Sequence, residues 1–183
     1  MLSMLLRLLF VAVGVVTAAR TKGALRVYAV LAAFSVAALE LAYQAYGFSS
    51  IYTIVYVAVR VPELIAMFWL SRIRLAAIPG AFGITFMALL AFRPSSAGAI
   101  CLLEGGLFAL AGISAGLRAK DRITGTLAIL WLLLAVYDFG YALGWQAPAW
   151  RELNQWWPTA LCIGAFGYIG YEVRALQERN SSA

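Results

Sequence analysis

Glu40, Arg60, Glu63, Glu104 and Asp138 interrupt runs that otherwise consist of Leu, Ala, Val, Ile, Phe and Gly. An ionisable group inside hydrocarbon costs at least about 2.5–3.5 kcal/mol on insertion scales, so such residues face a bundle interior, a cavity or one another. Carboxylates gathered around a guanidinium in a low dielectric can hold a proton, a cation or the polar part of a small molecule. The same contacts can also hold helices together, because lipid supplies no hydrophobic force between them. Histidine is absent, which removes bis-His haem, His-ligated zinc and His-based nucleophile triads. The sequence contains no Gly-rich phosphate loop, paired-aspartate metal motif or nucleophile elbow. Cys101 and Cys162 lie inside apolar runs without a CxxC spacing and read as packed thiols. No catalytic residue, metal or cofactor is therefore expected, and the chain reads as a non-enzyme.

Arg60 and Glu63 stand three apart on one expected helix and can pair, and Tyr52 and Tyr56 continue that face at spacings of four. Glu40 with Tyr43, and Asp138 with Tyr141, each set a phenol one turn beyond a carboxylate. At about 1.5 Å per residue, Glu40 and Asp138 lie about 10 Å inside one boundary of their segments, while Arg60 and Glu63 lie near the middle. Set against Arg60, four carboxylates are in surplus, which implies that some hold a proton or that a cation sits among them. The candidate ligand-binding set is Glu40, Tyr43, Tyr56, Arg60, Glu63, Glu104, Asp138 and Tyr141, lining a pocket between the second, third, fifth and sixth helices.

The elements that must position these residues are legible from hydropathy. Of 183 residues, 64% are hydrophobic and 12% charged, with mean hydropathy +0.87. Soluble domains run near 45–50% apolar and about 25% charged. Seven apolar segments are predicted, over 2–19, 24–47, 50–70, 75–92, 97–117, 123–145 and 158–174, each near the roughly 20 residues that a spanning helix needs. Together they make residues 1–183 a single transmembrane domain. Positive charge collects in alternate connections: Arg20, Lys22 and Arg26; Arg72 and Arg74; Arg118, Lys120 and Arg122. By the positive-inside rule those connections are cytoplasmic, which places the N-terminus outside and the tail after Arg174 inside. The net charge of +6 is thus a topology signal and not a nucleic-acid footprint. Thr17-Ala18-Ala19 resembles a signal cleavage site, but the basic cluster follows the apolar run, so 2–19 reads as the first helix. A short interfacial helix is expected over 149–157, within the 146–157 connection that Trp145, Trp150, Trp156 and Trp157 flank. Asn180-Ser181-Ser182 matches a glycosylation acceptor but falls in the expected cytoplasmic tail.

Sliding the chain on itself by 98 residues lays Leu9 on Leu107, Phe10 on Phe108, Gly14 on Gly112, Arg20 on Arg118, Lys22 on Lys120, Glu40 on Asp138 and Tyr43 on Tyr141. Helices one to three and five to seven then read as parallel copies, with helix four as the inverting linker. Matching helix three to helix seven requires absorbing a longer connection, which brings Pro62 near Pro158. This 3+1+3 plan resembles that of SWEET-type sugar carriers and, more loosely, that of seven-helix opsins with their external N-terminus. The resemblance covers topology only. Neither 2–19 nor 97–117 contains the proline of a Pro-Gln signature, and no lysine lies between Pro158 and Arg174 to match the retinal lysine.

These features suggest a small-molecule or ion transporter or receptor with its pocket open to the outer side, in a bacterial or archaeal plasma (inner) membrane. The competing expectation is a non-catalytic accessory or scaffold subunit of a larger membrane protein complex, one that shapes a lipid or quinone pocket. Exposed apolar faces with small residues would then be its docking surface. Expected partners are membrane lipids, other membrane subunits or copies of the chain, and a small molecule or cation.

Overall fold

Long stretches of Leu, Ala, Val and Ile form helices, because in the absence of water every backbone donor and acceptor must be satisfied within its own segment. In the computed structural model the described residues are 2–47, 49–71, 80–81, 83–88, 97–144 and 157–181, and their regular structure is entirely helical. The helices are α1 (Leu2–Arg20), α2 (Gly23–Tyr46), α3 (Ser50–Ser71), α4 (described over 80–81 and 83–88), α5 (Ala97–Arg118), α6 (Arg122–Ala142) and α7 (Trp157–Ser181). Four of them are long and apolar enough to cross a membrane: Gly23–Tyr46, Ser50–Ser71, Gly98–Arg118 and Arg122–Ala142. At about 1.5 Å per residue, α3 is about 33 Å long, against a hydrocarbon core of about 30 Å. The expected interfacial helix over 149–157 lies outside the described residues except for Trp157, which begins α7.

Local chemistry sets the ends. α2 stops where Gly47 takes φ 58°, a left-handed conformation without penalty for glycine, and its N–H donates back to the Tyr43 carbonyl at 2.9 Å. α6 starts where the Asp121 carboxylate accepts from the Thr124 N–H and hydroxyl, both at 2.8 Å. Arg26 folds over the α1–α2 turn and donates to the carbonyls of Ala18 and Thr21, at 3.0 and 2.8 Å.

Six helices pack in a ring: α1 on α2, α2 on α3, α3 on α5, α5 on α6, α6 on α7, and α7 back on α1. One rim carries Arg20, Lys22, Arg118 and Lys120 and is called the basic rim. α1, α3, α5 and α7 begin at the far rim, where α2 and α6 end. α4 packs against α3 and α5: a Cβ at Gly80 would meet the Phe68 ring at 3.0 Å, and one at Gly83 would meet Leu107 at 3.0 Å.

Small residues set the closest approaches. A Cβ at Gly14 would meet the Ala33 Cβ at 2.8 Å, and one at Gly112 would meet Leu132 at 2.8 Å and the Ala128 carbonyl at 3.0 Å. At Gly105 it would meet the Asp138 Cβ at 3.1 Å, so this glycine lets α6 lie close enough to bring Asp138 beside α5. α7 meets α1 at Gly170, where a Cβ would lie 3.2 Å from the Thr17 hydroxyl, and that hydroxyl donates to the Phe166 carbonyl at 2.9 Å. The basic rim is tied by Arg122 and Tyr168, which reach one oxygen of Glu172 at 3.2 and 2.7 Å.

Candidate functional site

The middle of the ring carries one polar cluster. On α3, Arg60 reaches Glu63 one turn on, Nη1 to Oε2 at 2.7 Å, and its Nε lies 3.1 Å from Oε1 of Glu104 on α5. Tyr56, one turn back along α3, donates its hydroxyl to the other Glu104 oxygen. The Arg60 guanidinium lies 5.7 Å from the Tyr56 ring centroid. Glu104 is fully buried and Glu63 nearly so, so a single guanidinium stands against two desolvated carboxylates. The Pro62 ring interrupts the α3 backbone donors between Arg60 and Glu63. One turn earlier, the Val59 carbonyl accepts from the Ser35 hydroxyl of α2 at 3.1 Å.

A cavity of about 200 Å³ adjoins this cluster, lined by Arg60, Glu63, Tyr52, Tyr56, Tyr137 and Asp138 among others. It runs from Arg7, Tyr52, Pro158 and Thr159 near the far rim to a floor formed by Phe10, Tyr28, Phe108 and Phe166. The floor is stiff. Trp131 donates its indole N–H to the Tyr28 hydroxyl at 2.9 Å, and the two rings meet edge to face at 5.8 Å. Phe166 stacks on Tyr28, and Phe10 meets Phe166 edge to face at 5.3 Å. Aromatic pairs of this kind add about 0.5–1.5 kcal/mol each beyond the area they bury.

The residues singled out from the sequence divide into two groups. Tyr56, Arg60, Glu63 and Asp138 line the cavity, and Glu104 stands directly behind, held by Arg60 and Tyr56. Asp138 is 5% exposed, and its Oδ2 has no hydrogen-bond partner among the described residues. Glu40, Tyr43 and Tyr141 do not line the cavity. Glu40 is occupied by Arg7 of α1 and by Gln44, whose amide lies 2.8 Å away. The Tyr43 ring meets Tyr52 edge to face at 6.4 Å, and Tyr141 points outward, 54% exposed. A phenol three residues beyond a carboxylate shares its side of the helix but not the direction of a concave wall, so the repeated spacing did not carry both members into the site.

Four things were not anticipated. Arg7 is a second arginine in the interior, visible as the one charge inside the first apolar run. α1 and α7 complete the wall with Arg7, Phe10, Thr159, Cys162 and Phe166. Cys162, read only as a packed thiol, faces the cavity. Tyr28 and Tyr137 join it through contacts across the ring, which no spacing along one helix encodes. Among the described residues no group of His, Cys, Asp or Glu is suited to hold a metal ion.

Comparison with protein-family models, with curated proteins and with solved structures finds no match for this chain. The reading of the site accordingly rests on its own geometry.

Proposed function

We propose that this chain is a seven-span membrane protein that binds a small polar molecule or ion in the cavity inside its helix ring, as a transporter or receptor does. The observation that carries this reading is the cavity wall itself, where a buried carboxylate with an unpartnered oxygen adjoins the Arg60 cluster. A buried polar atom without a hydrogen bond costs about 1–3 kcal/mol. A purely structural network has no use for that cost, and a ligand can recover it.

The remaining three spans in this reading are α1, α4 and α7. The N-terminus lies outside and the basic rim is cytoplasmic, because Arg20, Lys22, Arg118 and Lys120 gather there. Duplication is supported by the ring order: exchanging α1 with α5, α2 with α6 and α3 with α7 returns the same sequence of neighbours. It is supported as well by Gly14 and Gly112, 98 residues apart, each at the close approach of its helix pair. A cavity between two parallel triples is where such folds place their ligands.

Native mass spectrometry of the protein extracted gently from its own membrane tests this function. The expected result is a single chain or a homo-oligomer that carries a small bound mass, lost in the cavity-filling variant Ala32→Phe. Emergence only with other chains at fixed stoichiometry, and with no small mass, would overturn it in favour of an accessory subunit.

A further inference from the structure

We infer that the cavity takes a small organic ammonium ion whose charge sits against Asp138 and whose alkyl groups lie among the rings of Tyr52, Tyr56 and Tyr137. This rests on the binding reading above and names its ligand class.

The charge pattern selects the sign. Glu63 and Glu104 share Arg60, Glu40 has Arg7, and Glu172 has Arg122. Asp138 stands apart. It is 5% exposed, it faces the cavity, and no cation of the described residues pairs with it. An anion would meet Glu63 and Asp138 across the cavity, with Arg60 already committed to two carboxylates. A neutral polyol would find the Tyr56 hydroxyl spent on Glu104 and would leave the Asp138 carboxylate without a counter-charge.

The shape selects an organic cation over a metal ion. About 200 Å³ equals the liquid volume of roughly six or seven waters. That is far more than a bare ion fills and less than the roughly 300–1,000 Å³ of drug-sized sites. Seven of the eighteen lining residues are aromatic: Tyr52, Tyr56 and Tyr137 on the sides, with Tyr28, Phe10, Phe108 and Phe166 below. Tyr52 and Tyr56 lie 6.4 Å apart with their planes tilted by 38°, and the Tyr56 ring already attracts the Arg60 guanidinium, as an aromatic face attracts a cation. A carboxylate beside several ring faces is the combination that recognises alkylated ammonium groups.

The test uses the purified protein in lipid nanodiscs and tetramethylammonium chloride as the probe, with tert-butanol as the neutral isostere and sodium chloride as the salt control. Tetramethylammonium should bind saturably by calorimetry and raise the melting temperature, while neither control does so at equal concentration. Asp138→Asn should weaken that binding by at least about tenfold, as expected when one partner of a buried charge pair is removed, and Asp138→Glu should retain it. Unchanged binding in Asp138→Asn would overturn the inference. So would equal responses of the wild-type protein to tetramethylammonium and tert-butanol, a comparison that needs no variant to fold. If a small neutral or anionic mass is found on the native protein while tetramethylammonium fails to bind, the ammonium class falls and the binding reading stands. If neither binds, both fall.

Discussion

Replacing Arg60 by Met keeps the aliphatic stem and removes the guanidinium that faces both Glu63 and Glu104, at 2.7 and 3.1 Å. The Arg60 side chain is 21% exposed, Glu63 6% and Glu104 0%, so water cannot take over the lost partner. Removing one member of a buried ion pair costs about 3–5 kcal/mol, because a desolvated charge is left uncompensated. Two carboxylates depend on Arg60, which places the expectation for Arg60→Met at the upper part of that range. The companion variant Arg60→Met, Glu63→Gln, Glu104→Gln removes all three charges and keeps an acceptor for the Tyr56 hydroxyl. Exchanging an entire buried cluster for neutral groups of like size is often nearly neutral, so this triple variant should lie within about 1 kcal/mol of wild type. The assay is reversible unfolding in mixed detergent micelles, followed by circular dichroism and extrapolated linearly to zero denaturant. A cost below about 1 kcal/mol for the single variant, or a triple variant as unstable as the single one, would refute the assignment of Arg60 as the buried counter-charge.

Further outcomes follow from the packing. Gly112→Val should destabilise by about 1–3 kcal/mol, since its Cβ would meet Leu132 at 2.8 Å, whereas Gly106→Ala, with nothing within 4 Å, should be neutral or slightly stabilising; both are read by the same unfolding titration. Trp131→Phe removes the donor to the Tyr28 hydroxyl and should cost about 1–3 kcal/mol, with altered tyrosine fluorescence confirming that the floor has changed. Arg7→Met releases Glu40 near the far rim, where the arginine side chain is 34% exposed. Glu40 keeps the Gln44 amide at 2.8 Å, so the loss should cost less than that of Arg60→Met in the same titration.

The helices were legible in the sequence because one physical requirement, a continuous run of apolar side chains on a backbone that satisfies its own hydrogen bonds, writes itself along the chain. The expected segments 24–47, 50–70 and 97–117 differ from α2, α3 and α5 by a residue at their ends. α7 runs to Ser181, beyond the expected 174, since Glu172, Arg174 and Glu178 extend it on pairs that a hydropathy window cannot credit. Arg60, Glu63, Glu104 and Asp138 were legible because a charge in an apolar run is conspicuous. Tyr43 and Tyr141 do not line the cavity, because a three-residue spacing fixes a shared helix side and not the azimuth of the wall. Arg7 and Tyr28 joined the site through partners 33 and 103 residues away, and such pairings arise only when the ring closes.

The central claim is a polar cavity inside the helix ring that is reached from the outer face of the membrane. Thiol labelling with a small membrane-impermeant reagent tests it most directly, on Thr159→Cys and Tyr52→Cys placed singly in a Cys101→Ala, Cys162→Ala background. Both thiols should react when the reagent is added outside intact cells and should be silent in inverted vesicles. Reaction from the cytoplasmic face alone, or silence of both thiols from both faces, would contradict the account.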